Sequence, residues 1–191
     1  YSLDANTTGT QNVAVGNASL SGNTTGNNNV AVGVNALLSN TTGIENVAIG
    51  DDALDANTTG NYNIAIGKDA LAVQTAGTYN IAIGKNSSAA ITTANSNVAV
   101  GYNTLGSNVA TNTAIGANAM ENCTTGAQNV AVGRALWVNT LTGSNNVAVG
   151  LDAGKSVTNG TDSVFIGKDA GSSAESNVEC IAVGKNSVLN N

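Results

Sequence analysis

The chain has 191 residues, of which 9% are charged, with a net charge of −6 and neither histidine nor proline. Six basic residues in an acidic chain exclude a duplex-binding surface, which needs clustered Lys and Arg against phosphates. Without histidine there is no Ser–His or Cys–His pair, zinc ligation is impoverished, and no apolar run approaches the ~18 residues of a membrane helix.

Asn-Val-Ala-Val-Gly and its variants recur from one end of the chain to the other. The closing glycines are Gly16, Gly33, Gly50, Gly67, Gly84, Gly101, Gly116, Gly133, Gly150, Gly167 and Gly184, spaced by 17 residues except for a 15 between Gly101 and Gly116. A constant period in this range marks a solenoid whose repeats bury their apolar faces against one another. The sequence therefore predicts an all-β, parallel β-solenoid (β-roll) of 11 coils, one repeat domain spanning residues 1–191. We number the repeat as slots 1 to 17, Asn29 being slot 1, Gly33 slot 5, Leu37 slot 9 and Gly43 slot 15. Both chain ends fall within a coil, which suggests a segment of a longer protein or an end-stacked unit.

Along one repeat, slots 2 and 4 are Val or Ile around a small residue, the period-2 pattern of a strand. Reading the bulky pair as the inward face places slot 3 outside. That column is Ala14, Ala31, Ala48, Ala65, Ala82, Ala99, Ala114, Ala131, Ala148, Phe165 and Ala182. A stripe of methyl groups suits close approach by another chain, so slot 3 is the expected interface of a homo-oligomer. The few apolar side chains that each coil buries offset only part of the ordering entropy, which also favours association.

Glycine at slot 5 permits the bend that ends the strand. A second short strand is expected at the Ala-Leu of slots 8 and 9. Asn-Thr-Thr-Gly at slots 12 to 15 reads as turn chemistry, lost in the short repeat where residues 108–111 replace it. The slot 1 column of Asn12, Asn29, Asn46, Asn63, Asn80, Asn97, Asn112, Asn129 and Asn146 has two readings, a plain turn residue or an amide ladder along the stack. Trp137, near the Leu slot of a shifted coil, is expected to fill core or bulge space.

Other columns carry weaker signals. Asp52 and Asp69, in slot 7 of adjacent coils, form a solvated rim or share a cation. Tyr62 and Tyr79, both in slot 17, form either a simple tyrosine ladder or a glycan contact. Thr pairs at slots 13 and 14 raise ice binding, although a turn offers no flat Thr-x-Thr face. Asn-x-Thr or Asn-x-Ser sequons at Asn6, Asn17, Asn23, Asn40, Asn57, Asn86, Asn122 and Asn159 would be decorated in a glycosylating host. Cys123 and Cys180 lie three coils and six residues apart, roughly 14 Å along a stack rising ~4.8 Å per coil, too far for an intrachain disulfide.

Asp162-Ser163-Val164-Phe165-Ile166-Gly167 and Ser96-Asn97-Val98-Ala99-Val100-Gly101 resemble the Asn-Ser-Val-Ala-Ile-Gly-x-x-Ser head repeat of trimeric autotransporter adhesins (YadA-like), also found in phage tail fibres. Ser87 and Ser187 keep the second serine of that wording. Slot 1 departs from it, being mostly Asn, and slot 8 is mostly Ala. The resemblance implies a left-handed roll, a homotrimer, and attachment to a host-surface glycan or protein. The expected function is a non-enzymatic, extracellular, structural or adhesive fibre segment at a cell or virion surface, without cofactor or metal. The alternative is a subunit of a self-assembling filament of end-stacked solenoids; ice-binding and glycan-binding proteins are further readings.

Overall fold

A computed structural model describes residues 1–106, 111–137, 142–172 and 179–187. Eleven three-residue strands recur once per repeat: β1 (Val13–Val15), β2 (Val30–Val32), β3 (Val47–Ile49), β4 (Ile64–Ile66), β5 (Ile81–Ile83), β6 (Val98–Val100), β7 (Thr113–Ile115), β8 (Val130–Val132), β9 (Val147–Val149), β10 (Val164–Ile166) and β11 (Ile181–Val183). The chain divides into two compact units, Tyr1–Asn97 with β1 to β5 and Val98–Asn191 with β6 to β11. Within each unit the strands pair in chain order, all parallel and like on like, Ala31 facing Ala48 and Phe165 facing Ala182. This is a β-solenoid. The 15-residue repeat keeps register, Val98 opposite Thr113 and Val100 opposite Ile115. Its expected loop shortening falls mostly on residues 107–110, outside the described residues.

The remaining arcs of each coil are also tied rung to rung. Val30 N–H donates to Asn46 O (2.8 Å), Gly50 N–H to Val32 O (2.8 Å) and Leu37 N–H to Ala53 O (3.0 Å). Among the described residues no second strand forms at Ala-Leu, contrary to expectation. Leu20, Leu37, Leu54 and Leu71 instead adopt left-handed backbone, φ 51–52°, as do the residues two positions earlier, such as Asn35 and Asp52 at φ 54°. Asn and Asp enter this region with least strain, whereas Leu there costs roughly 1–2 kcal/mol. The leucines are held in it by complete burial. The slot 5 glycines meet a harder demand. At Gly50, φ is +135°, and a Cβ would lie 2.7 Å from the carbonyl carbon of Gly67 in the next coil.

The interior reverses the expected facing. The slot 3 residues Ala31, Ala48, Ala65, Ala82, Ala99, Ala114, Ala131, Ala148, Phe165 and Ala182 are buried inside their own coils, and only Ala14, in the first strand, is half-buried. They pack with the slot 8 and slot 9 residues Ala36, Leu37, Ala53 and Leu54, also buried. Slot 3 therefore offers no surface to another chain. The Val and Ile of slots 2 and 4 point outward instead, Ile49 being 39% and Ile83 37% exposed. Alternation defines two faces but not which is inside. A 17-residue coil is thin, and with Leu on the far wall there is room for only a methyl group at slot 3.

The exceptions obey this volume rule. Phe165 is the slot 3 residue beside Gly154 and Gly171, the two glycines found at slot 9; its ring covers both. Trp137, in slot 9 of the preceding repeat and fully buried, extends over Gly154. Where Ser88 replaces leucine at slot 9, Ile91 replaces asparagine at slot 12 and is fully buried. Each coil keeps its filling while redistributing it between walls.

Candidate functional site

The other half of the interior is polar, and it is organised as two amide ladders. In slot 1, Asn29 Nδ2 donates to Asn12 Oδ1 (3.2 Å) and to the main-chain carbonyl of Gly43 (2.8 Å), while Asn29 N–H donates to Asn12 Oδ1 (2.9 Å). Asn46 and Asn63 repeat the pattern, and Asn129 and Asn146 carry it in the second unit. Where the pattern is complete, as at Asn29 and Asn46, the buried amide oxygen accepts two bonds and the amide nitrogen donates two, which satisfies groups that would otherwise cost about 1–3 kcal/mol apiece. Ser163 and Cys180 continue the column with main-chain donors, Ser163 N–H to Asn146 Oδ1 (3.1 Å) and Cys180 N–H to Ser163 Oγ (3.2 Å).

The second ladder runs in slot 12, where the sequence reads only as a turn. Asn23 Nδ2 donates to Asn6 Oδ1 (2.8 Å), Asn40 to Asn23 (2.8 Å) and Asn57 to Asn40 (2.9 Å). The same nitrogens reach the slot 15 carbonyls, so Gly43 O accepts from both Asn29 and Asn40. Cys123 substitutes in slot 12 with its thiol directed at Gly126 O (3.4 Å); both it and Cys180 are free cysteines. Recurrence of Asn at a fixed interval was the available signal, masked because Asn-Thr-Thr-Gly is an ordinary turn sequence.

This ladder corrects the sequon expectation. Asn23, Asn40 and Asn57 are fully buried with their amides committed, so no glycan attaches to them in the folded chain. Asn6, Asn17, Asn122 and Asn159 are exposed, and Asn86 is half-buried. The slot 13 threonines are likewise engaged: Thr24 Oγ1 donates to Thr41 O (2.9 Å) and Thr41 Oγ1 to Thr58 O (3.0 Å). Slot 14 presents exposed threonines, such as Thr25 and Thr42.

The first ladder defect yields a test. Asn57 Oδ1 is buried without a donor, because Gln74, one methylene longer, sends Nε2 to Gly77 O (3.1 Å) and presents Oε1 to Asn80 Nδ2 (2.9 Å). Gln74→Asn is expected to complete the column and add about 1 kcal/mol of stability, read as a higher denaturation midpoint. An unchanged or lower midpoint would show that the column is not a stabilising ladder.

On the outer rim, Lys68 lies among carboxylates, with Nζ 2.9 Å from Asp51, 3.5 Å from Asp52 and 3.7 Å from Asp69. Its hydrogen bond to Asp51 raises its pKa. Burial, with Asp52 nearby, holds the Asp55 carboxyl above the usual carboxylate range. Lys68 thus stands where a cation shared by Asp52 and Asp69 would sit. Among the described residues no group of three His, Cys, Asp or Glu is placed to hold a metal ion.

Tyr62 and Tyr79 stack face to face, ring centroids 5.0 Å apart and planes 2° from parallel. The outward face of the strands is almost uniformly aliphatic: 21 of its 22 slot 2 and slot 4 residues are Val or Ile, the exception being Thr113. None carries a charge.

Fold and interior together define a β-solenoid repeat protein whose coils bury alanine and leucine on one side and asparagine ladders on the other. No family model, curated protein or solved structure matches the chain.

Proposed function

We propose that the chain is a non-enzymatic segment of an extracellular fibre, assembled as a homotrimer side by side through the Val and Ile face and serving surface attachment. The observation that carries this reading is the pair of outward β-branched columns on every strand. A β-branched column exposed on a strand face is an uncommon solvent surface and a good contact surface. Because the columns repeat once per rung, a second copy meets the same side chains at the same spacing along its length.

The magnitudes favour association. Covering what remains exposed of one such side chain is worth of order 1 kcal/mol. Two per strand over eleven strands outweigh the roughly 4–15 kcal/mol that association costs. Three copies, the extracellular setting and the adhesive role follow the resemblance to YadA-like head repeats. The contact surface moves from slot 3 to slots 2 and 4.

Sedimentation equilibrium tests the proposal. The expected result is a discrete trimer whose mass is independent of concentration above its dissociation range. Long polymers that grow with concentration would point to end-to-end filaments, and a monomer at high concentration would overturn the proposal.

A further inference from the structure

The tyrosine stack of the first unit ends at Tyr79. Slot 17 is occupied in succession by Glu45, Tyr62, Tyr79 and Ser96, all with the same left-handed backbone, φ 55°, 59°, 58° and 58°. Their N–H groups donate to the preceding coil alike: Tyr62 to Ile44 O (3.1 Å), Tyr79 to Asn61 O (3.2 Å) and Ser96 to Thr78 O (3.0 Å). Equal backbone at equal spacing sends the side chains off in one direction. The outer face of Tyr79 is therefore turned to the place a third ring would take, where Ser96 supplies only a hydroxymethyl group. Exposure follows this order, Tyr62 at 39% between two large neighbours and Tyr79 at 59%.

Two flat rings already stack here at 5.0 Å, about the spacing of successive coils. The floor of the open place is an aromatic face and its edge is polar. Asn95, exposed, accepts at Oδ1 from Thr78 N–H (2.7 Å) and Thr78 Oγ1 (3.1 Å), so the donor it has to offer a ligand is Nδ2. Ser96, the next residue, is exposed and adds a hydroxyl.

We propose that this place binds a neutral hexopyranose, its apolar C–H face on the outer face of Tyr79 and its hydroxyls toward Asn95 Nδ2 and Ser96 Oγ. A stacked ring with one adjacent amide suits a sugar, which is apolar on one face and hydroxylated at its rim. No basic side chain occurs in slots 16 and 17 from Thr10 to Ser96, and the chain is acidic, so anionic sugars and nucleotides lack a partner. The inference deepens the attachment reading by naming a ligand class, while the contact itself needs only the first unit. A single stacked ring binds weakly, in the millimolar range. Copies held together in a fibre would raise the apparent affinity by multivalency.

The test is saturation-transfer NMR on the full chain with methyl β-D-galactopyranoside at millimolar concentration. Saturation is expected to be strongest on H3, H4 and H5, the protons of the apolar face. Tyr79→Ala should weaken binding roughly tenfold and Tyr79→Phe should preserve it. Ser96→Tyr, which supplies the missing third ring, should block binding while circular dichroism stays unchanged. Absence of transfer to the unaltered protein, or transfer that survives both Tyr79→Ala and Ser96→Tyr, would overturn the site. Sedimentation of the same samples reports separately on the fibre, so failure of one reading is distinguishable from failure of the other.

Discussion

Phe165→Ala and Gly171→Leu should each destabilise the second unit and largely cancel when combined. Phe165 is fully buried in slot 3, and its ring lies against Gly154 and Gly171. Truncating it leaves a cavity in a thin interior, a loss of about 3–5 kcal/mol. Gly171→Leu alone drives a side chain into that ring, since even a Cβ at Gly171 would overlap it. Overpacking of this kind costs about 1–3 kcal/mol. Together the changes recreate the Ala and Leu pairing of the coils around β2 to β4. Gly171 already has φ 62°, near the 52° that Leu37 adopts, so the backbone accepts the new residue. Denaturation midpoints of the four proteins form a double-mutant cycle with a strongly favourable coupling. Losses that simply add would mean that slots 3 and 9 do not share one interior.

A second pair of substitutions separates inside from outside on a single strand. Ala48 is fully buried and Ile49 is 39% exposed, adjacent in β3. Ala48→Glu places an unpaired carboxylate among Ala53, Leu54 and the neighbouring alanines, where no basic group waits. A cost above about 4 kcal/mol is expected, enough to unfold the coils around it. Ile49→Glu projects its charge into solvent and should change monomer stability by no more than about 1 kcal/mol. In the proposed trimer it would set like charges in the contact face and abolish assembly. Circular dichroism reads the first effect and sedimentation the second. Loss of assembly with intact folding in Ala48→Glu, matched by indifference in Ile49→Glu, would restore slot 3 as the interface.

The parts of this structure legible in the sequence are those that a period alone dictates. Identical residues at equal intervals must stack, so the strands, their register, the Asn12 to Asn63 column and the Tyr62 and Tyr79 pair follow from spacing. The facing of the strand does not. Val-Ala-Val reads equally well with either face inward, and bulk favours the wrong one until coil thickness is considered. The decisive clue was present as a joint change: Phe165 in place of Ala coincides with Gly154 and Gly171 in place of Leu. Ile91 at slot 12 coincides with Ser88 at slot 9 in the same way. The slot 12 ladder was hidden because Asn40 and Asn57 sit in a sequence that forms turns without help. The second strand failed because Leu37 and its equivalents lie in left-handed backbone, a region that local propensity assigns to Asn, Asp and Gly.

The most direct test is thiol labelling at two neighbouring positions, Ala48→Cys and Ile49→Cys, followed by peptide mass spectrometry over a range of protein concentration. At dilution, where the chains are separate, the thiol at position 49 should react quickly and that at position 48 should stay protected. As sedimentation shows assembly, position 49 should become protected too. A reactive position 48 in the folded chain, or a position 49 that stays open in the assembled protein, would contradict both the facing of the strands and the surface assigned to assembly.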